Sequence, residues 1–351
     1  MGELQQILPA MQADYPCARL SDHVKLIYQN EFGCAHLAKG GMSPEDLRRE
    51  AAAARRGRSL FESIGNGYRR IYLKNALDLG ASPETLCAMA EGTAAESRGS
   101  RDSFARKLDL LYQLCREKKL PFSAGSCQLY LLNYEAAGYP AVHHSAEYAA
   151  AYVPSYRVIA DKYARFFELF LRIDGLLRTE QDPILIAIDG PCASGKTTLA
   201  AMLSACYPSN LFHADDFYLR PEQRTPERFR EAGGNMDRER LEEEVLRPLS
   251  LRRDVFYRRY SHPARAIVSE TPVPYRRVNI IEGSYTLHPR LRPYYHLKAA
   301  LKISPEHQMA RLKCRESQKS LELFRDRWIP LEQAYIAGTG LYDAADLIFD
   351  V

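Results

Sequence analysis

The stretch that decides the fold is ILIAIDGPCASGKTTLAAML, Ile184 to Leu203. The apolar run that ends at Asp189 predicts a buried strand, and the periodic apolar residues after Lys196 predict a helix. Between them, Gly190 to Thr197 matches G-x-x-x-x-G-K-[ST] at every fixed position. Such a turn between a strand and a helix predicts a loop whose backbone N–H groups wrap a phosphate at the positive end of the helix.

The motif gives its residues separate tasks. We expect Lys196 to reach the β and γ phosphates of ATP or GTP, and the hydroxyl of Thr197 to bind magnesium. The alternative, an ordinary glycine turn, is disfavoured because the loop stands between a predicted strand and a predicted helix. The expected nucleotide-binding residues are Gly190, Ala193, Ser194, Gly195, Lys196, Thr197 and Thr198.

Length and composition limit the class of protein. A chain of 351 residues fits two domains, and a net charge of +4 does not provide the strong positive field that nucleic-acid binding needs. We find no apolar run near the roughly 20 residues of a membrane helix and no signal peptide, so we expect a cytoplasmic protein without a membrane partner. The eight cysteines include no C-x-x-C pair, which argues against a zinc knuckle or a disulfide framework.

Residues 1–178 carry helix-spaced apolar patterns and almost no strand signals. Ser43 and Ser82, each followed by proline, have the pattern of helix N-caps. We therefore predict an all-α domain that ends in a long helix from about Tyr156 to Arg178. The segment Thr179 to Pro183 is the expected boundary with a second domain, residues 179–351.

The role of the helical domain stays open. Clusters of polar residues occur in EFGCAHL, GNGYRRIYLKNAL and YPAVHHSAEY, but none supplies three metal ligands at coordinating spacing, so we interpret them as packing. Three roles are open for this domain: to cover the acceptor site, to form a homo-oligomer, or to sense a ligand.

After Pro183 the pattern changes to short apolar strands separated by helices. This alternation predicts a parallel sheet with helices on both faces, a P-loop NTPase-like α/β fold. Ligands of such sheets bind at the carboxyl ends of the strands. The predicted strands are residues 184–189, 211–214, 278–281, 297–303 and 347–350.

Acidic residues follow two of these strands. Asp215 and Asp216 come after the second strand, and Glu282 comes after the third. A carboxylate there can take a proton from an attacking hydroxyl or hold magnesium, and we expect Thr197, Asp215 and Glu282 to organise the metal. The alternative is that Asp215 and Asp216 only cap the next helix.

From Asp182 onward, about half of the chain resembles the uridine kinase branch of the P-loop kinases, which includes phosphoribulokinase and bacterial pantothenate kinase. The similarity lies in the order of several segments rather than in one of them. After the phosphate loop these are DDFY (215–218), NMDRERLEEEVLRPL (235–249), YRRYSHPAR (257–265), IIEGSY (280–285) and MARLKCRES (309–317).

The resemblance implies roles for residues outside the loop. It implies that Asp215 is the catalytic base, that Asp237 contacts ribose hydroxyls, and that Tyr257 and His262 contact the nucleoside base. For Asp237 the alternative is a helix cap, and for His262 it is a structural role. Further acceptor contacts implied by the same segments are Asp216, Tyr218 and Arg265.

The resemblance also implies a lid that carries arginines. Arg311 and Arg315 are four residues apart and so share one helix face, from which they can close over the γ-phosphate. The alternatives are that this face is only solvated, or that Lys313 and Arg325 supply the charge. We count Arg311 and Arg315, with Asp215 and Lys196, as the expected catalytic residues.

The function expected from these residues is an ATP-dependent small-molecule kinase with magnesium as cofactor. It transfers the γ-phosphate to a hydroxyl of a nucleoside-like or sugar-like acceptor. One alternative is a nucleoside monophosphate kinase, which would place more basic residues around the acceptor phosphate. Another is a regulator that binds nucleotide and transfers little phosphate, which needs the loop but no base beside a hydroxyl pocket.

Overall fold

The computed structural model describes residues 2–34, 43–261 and 263–351. The chain divides into two compact units, Met1–Asp174 and Gly175–Val351, each described by itself below. Among the described residues, no helix combines the length and the apolar character that crossing a bilayer requires.

The first unit contains ten helices and three strands among its described residues, with the last helix running across the dividing point. In chain order they are α1 Gly2–Asp14, α2 Leu20–Phe32, α3 Pro44–Ala53, β1 Phe61–Gly65, β2 Tyr68–Tyr72, α4 Leu73–Asp78, α5 Pro83–Glu96, α6 Arg101–Arg116, α7 Ala124–Ala136, α8 Ala146–Tyr152, β3 Tyr156–Ala160, α9 Asp161–Arg165 and α10 Phe167–Leu177.

Serine side chains fix where several of these helices begin. Ser43 and Ser82 accept a hydrogen bond from the backbone N–H three residues later, and proline follows each of them. Such a cap satisfies an N–H group that would otherwise have no partner in the first turn. Ser100, Ser123 and Ser145 cap α6, α7 and α8 in the same way.

A three-stranded antiparallel sheet, β1-β2-β3, corrects the all-α description of the first domain. Helices form most of the unit, as expected, but the predicted long helix from Tyr156 does not exist. Residues Tyr156–Ala160 pair with β2 instead, and α9 and α10 follow as separate helices. Strand preference depends strongly on the neighbours that a segment meets, and β2 lies far away in sequence.

A buried polar cluster lies beside this sheet and contains the residues that we interpreted as packing. The guanidinium of Arg70 is fully buried, donates from Nε and Nη2 to Gln29 Oε1 at 3.0 and 2.8 Å, and lies 4.6 Å from the centre of the Tyr156 ring. His144 bridges Asp22 and the Tyr156 hydroxyl at 2.8 and 2.6 Å. The cluster is internally hydrogen-bonded, as buried polar groups must be.

We expect His144 to make the first unit sensitive to acid. Burial lowers the pKa of His144 from its ordinary 6.5 to about 4, although Asp22 opposes this shift. The folded state therefore favours the neutral ring. The contribution of His144 to the free energy of unfolding is complete above pH 6.5 and is lost as the pH falls towards 4. That difference corresponds to roughly 3 kcal/mol. The free energy of unfolding, measured by urea titration across this range, should fall less in His144→Gln than in the parent.

The control for this experiment is His143→Gln, a change at the exposed neighbouring histidine. Burial also lowers the pKa of His23. This residue therefore destabilises the fold at acid pH in the parent and in both variants alike. Identical pH profiles for His144→Gln and His143→Gln would contradict the assignment.

The second unit contains a parallel sheet, a hairpin and helices. Its elements are β4 Ile184–Asp189, α11 Lys196–Cys206, β5 Ser209–His213, α12 Pro226–Arg230, α13 Arg238–Leu241, α14 Arg247–Ser250, β6 Val255–Ser261, β7 Ala266–Val273, β8 Val278–Glu282, β9 Leu297–Lys302, α15 Pro305–Arg315, α16 Gln318–Leu323, α17 Ile329–Thr339, α18 Leu341–Ala344 and β10 Leu347–Asp350. Short π-helical segments, Glu242–Leu246 and Phe324–Trp328, join α13 to α14 and α16 to α17.

The five predicted strands form one sheet in the order β10-β9-β4-β8-β5, with every neighbouring pair parallel. Its central strands β4 and β8 are buried throughout, which explains their continuous apolar sequences. Helix α11 packs against β4, β5 and β8. The predicted α/β fold is therefore confirmed. The antiparallel hairpin of β6 and β7 is an addition that the sequence pattern did not indicate.

Candidate active site

The phosphate loop connects β4 to α11 at the carboxyl edge of the sheet. Gly190 has φ 143°, and a Cβ added there would lie 2.5 Å from the carbonyl oxygen of Leu301, so only glycine fits. Ala193 and Gly195 also have positive φ, of 59° and 98°. Backbones of this kind form concavities lined by N–H groups that bind anions.

The Lys196 side chain lies along this loop and is buried. Its Nζ donates to the carbonyl oxygens of Gly190 and Pro191, both at 2.8 Å, and to Ser284 Oγ at 3.3 Å. No carboxylate oxygen of the described residues lies within 4.0 Å of this ammonium. At hydrogen-bond distance its charge is therefore met by neutral oxygens alone, and Asp189 acts on it only from farther away, which suits a group that receives a phosphate.

The structure brings Thr197 and Glu282 together, as the sequence led us to expect. Thr197 Oγ1 donates to Glu282 Oε1 at 3.1 Å, and His213 Nδ1 lies 2.6 Å from the same oxygen. This hydrogen bond raises the pKa of His213, while burial opposes the shift. Hydroxyl and carboxylate oxygens are the ligands that magnesium prefers.

The oxygen donors of Thr197 and Glu282 are of the kind that magnesium binds. Residues 2–34, 43–261 and 263–351 include no group of three histidine, cysteine, aspartate or glutamate side chains that could hold a metal. Magnesium in phosphotransfer sites usually has one or two carboxylates, with phosphates and waters completing its shell.

Asp215 and Asp216 follow β5 in a 3₁₀ turn, Ala214–Phe217, but their environments differ. Asp215 is exposed and forms a hydrogen bond with Tyr218. Asp216 is buried, where it accepts hydrogen bonds from the Tyr257 hydroxyl and from Arg259 Nε, both at 3.2 Å. Asp215 is thus the carboxylate that an acceptor can reach, while Asp216 and Tyr257 bind each other.

The ends of β5 and β8 touch next to these carboxylates. Gly283 has φ 142°, and a Cβ added there would lie 2.4 Å from Ala214 Cβ. The close contact places the turn that carries Asp215 against the end of the strand that carries Glu282.

Asp237 lies beside the same turn and is almost completely buried. Its N–H donates to the carbonyl of Phe217 at 2.7 Å, and its Oδ1 caps α13 by accepting from the Arg240 N–H at 3.3 Å. The helix cap, which we considered as the alternative role of Asp237, therefore accounts for Oδ1 only. The other, Oδ2, is buried and has no hydrogen-bond partner within the described part of the chain, and the Asn235 amide interacts with the Tyr285 hydroxyl.

The structure separates the two lid arginines. Arg311 Nη1 donates to the loop carbonyls of Ala193 and Ser194 at 3.1 and 3.2 Å, whereas Arg315 bonds to Glu316 at 2.7 Å.

The remaining predicted residues have different positions. Ser194 is buried in the loop, and Thr198 is exposed in the first turn of α11. Arg265 is exposed at the tip of the β6–β7 hairpin, with φ 54°. His262 lies outside the described residues.

Three residues at the loop escaped the sequence analysis: Ser284, Tyr285 and Glu332. Glu332, buried on α17, accepts from the Cys192 N–H and from Ser284 Oγ, both at 2.9 Å. Tyr285 is buried with a strained φ of 76° and donates its N–H to Asp189 Oδ1 at 3.1 Å. Ser284 and Tyr285 follow a predicted strand and could have been found there. Glu332 stands in a helix far along the chain, where no local motif identifies it.

No family model and no curated protein sequence matches this chain. Solved structures that match about half of it include a possible uridine kinase from Bacillus stearothermophilus, with 24% identity, 52% of this chain and 100% of that chain covered, and a TM-score of 0.40. A protein proposed to be a fructose transport system kinase, from Silicibacter sp. TM1040, has 26% identity over 49% of this chain and 91% of its own, with a TM-score of 0.37.

The shikimate kinase of Bacteroides thetaiotaomicron also matches, with 18% identity, 48% and 85% of the two chains covered, and a TM-score of 0.26. These values describe a similarity that covers only part of the chain. By its own strand order and its phosphate loop, residues 175–351 have the fold of the P-loop kinases, in agreement with the resemblance drawn from the sequence.

Proposed function

We propose that this chain is an ATP-dependent kinase that transfers the γ-phosphate to a hydroxyl of a small acceptor. One arrangement carries this proposal: a phosphate loop with the buried ammonium of Lys196 shares the carboxyl edge of a parallel sheet with the exposed carboxylate of Asp215. Phosphoryl transfer depends on positioning and on neutralising charge, and these two groups supply the means for both.

Each residue of the site has a step to perform. The loop N–H groups and Lys196 hold the phosphates, and Arg311 lies next to the loop with its positive charge. Thr197 and Glu282, with Asp215 nearby, would hold magnesium, which neutralises phosphate charge when bound. Asp215 orients the acceptor hydroxyl and takes up its proton as the new oxygen–phosphorus bond forms, while the bond from the γ-phosphorus to the β,γ-bridging oxygen breaks and ADP leaves.

The acceptor that we propose carries hydroxyls, as nucleosides and sugars do. Asp237 Oδ2 is a buried acceptor without a partner among the described residues, and the Asn235 amide beside it interacts with the Tyr285 hydroxyl. A buried polar group without a partner is costly, and a polyol that donates to Asp237 Oδ2 would offset that cost. Tyr218, bridged to Met236 beside them, completes the uridine kinase-like acceptor side of the proposal.

The nucleoside monophosphate kinase alternative requires cations that are free to bind the acceptor phosphate. Arg224 donates to the Leu219 carbonyl and to the Tyr260 hydroxyl, and Arg228 is paired with Glu239 at 2.7 Å. Because both guanidinium groups already have partners, neither is free to bind a phosphate of the acceptor. This favours an acceptor without a phosphate.

A screen of nucleosides, nucleotides, sugars and vitamin precursors with ATP and magnesium tests the proposal by measuring ADP release. Turnover with a nucleoside or a sugar supports it, and turnover restricted to nucleoside monophosphates supports the alternative. Tight nucleotide binding without turnover of any acceptor would instead indicate a nucleotide-gated regulator.

Replacement of Glu332 by alanine is expected to weaken ATP binding about tenfold. The change leaves the Cys192 N–H without its acceptor and leaves the Ser284 hydroxyl with the Gly190 carbonyl, at 3.1 Å, as its acceptor, so the loop loses its link to α17. Glu332→Gln retains an oxygen that can accept from the N–H and should restore most of the affinity, which titration calorimetry measures. Equal affinities in the alanine variant and the parent would show that Glu332 does not position the loop.

A further inference from the structure

The first unit contains a cleft of about 570 Å³ to which the kinase proposal assigns no role. It lies between the end of α2, the β1–β2 turn and the start of α6, and its volume is in the range of small-molecule sites. Among its lining residues are Glu31, Tyr68, Arg98, Ser103, Arg106 and Lys107.

A buried lysine forms the floor of this cleft. The Lys107 side chain is only 9% exposed, and Nζ donates to Asn30 Oδ1 and Glu31 Oε2, both at 2.5 Å. An ammonium has three N–H groups, and these two contacts use two of them. A buried donor without a partner is costly unless a solvent or ligand atom satisfies it.

The acidic side chains of the cleft are already neutralised. Burial raises the pKa of Glu31, but hydrogen bonds from Lys107, the Ser100 N–H and Ser103 outweigh it and lower the pKa overall, so the carboxylate stays ionised beside Lys107. Glu96 is paired with Lys162 at 2.5 Å.

Two arginines on the rim remain without such partners. No carboxylate oxygen of residues 2–34, 43–261 or 263–351 lies within 4.0 Å of the guanidinium of Arg98 or Arg106. The 16-residue helix α6 begins at the same place, with Ser100 and Ser103 in the lining, and contributes the positive end of its dipole. The cleft therefore carries an excess of positive charge above a polar floor.

We propose that this cleft binds a small molecule with a phosphate or carboxylate group, held by Arg98 and Arg106 with Lys107 beneath them. Guanidinium groups suit such anions because their N–H groups match two oxygens at once. The inference is independent of the kinase proposal and gives the first unit the task of sensing a ligand.

The test uses the full chain with Lys196→Ala, which weakens the competing phosphate loop. Inorganic phosphate and citrate serve as probes, and titration calorimetry measures their affinities. In this background Arg98→Ala with Arg106→Ala is expected to weaken binding of at least one probe by about tenfold or more. Both arginines are exposed, so folding should be preserved, which a thermal melt verifies.

The matched control removes two other exposed arginines of the same unit, Arg116→Ala with Arg165→Ala, and should leave the affinities unchanged. The proposal is overturned if neither anion binds measurably, if the two double variants bind alike, or if binding survives the loss of Arg98 and Arg106.

Discussion

Asp215→Asn is expected to abolish phosphoryl transfer while nucleotide affinity stays at the parent level. Asparagine keeps the size of the side chain but cannot take the proton of the acceptor hydroxyl. Loss of a general base typically costs between a hundred- and ten-thousandfold in rate. The carboxylate is exposed in the turn that follows β5, and asparagine keeps the shape of the side chain there. Turnover with the acceptor found in the screen, and ATP affinity by calorimetry, measure the two effects separately.

The neighbouring carboxylate provides the control. Asp216 is bonded to Tyr257 and Arg259, so Asp216→Asn should lower the melting temperature and leave most of the turnover. Parent-level turnover in Asp215→Asn would refute the assigned base. A large loss of turnover in Asp216→Asn, without a loss of stability, would move the role to that residue.

Lys196→Ala is expected to lower the rate by roughly a hundred- to a thousandfold, the loss usually found when one donor to the transition state is removed. The side chain contributes a full charge at the loop, is itself buried, and has no carboxylate of the described residues at ion-pair distance. Nucleotide affinity should fall as well, since the same ammonium contacts the phosphates before and during transfer.

Lys298→Ala is the matched control, because Lys298 is the second residue of β9, at the opposite end of the sheet, and pairs with Asp346 at 3.1 Å. It should keep the parent rate. A Lys196→Ala protein that folds and turns over like the parent would contradict the assignment of the phosphate loop.

The sequence predicted the parts of the site that are local in the chain. The strand before Gly190, the loop and the helix after Lys196 are contiguous, so a single motif defines all three. Asp215 and Glu282 were found because each directly follows an apolar strand, and the carboxyl ends of parallel strands meet at one edge.

Features that depend on distant pairing could not be predicted in this way. Residues Tyr156–Ala160 form a strand only because β2, more than eighty residues earlier, offers an edge for pairing. Glu332 reaches the loop from α17, a mostly apolar helix more than a hundred residues further along the chain. In both cases the deciding interaction is tertiary, and no pattern within a short window encodes it.

The contact between Gly283 and Ala214 also limits how the sequence of this protein can vary. The missing side chain at one position and the single methyl group at the other set the spacing between the two strand ends. A lineage that explores new acceptors has almost no room to vary there without pushing the turn of Asp215 aside. Under the proposed function, a change of acceptor specificity therefore requires substitutions around Asn235 and Asp237. These residues can change while Asp215 and Glu282 keep their positions.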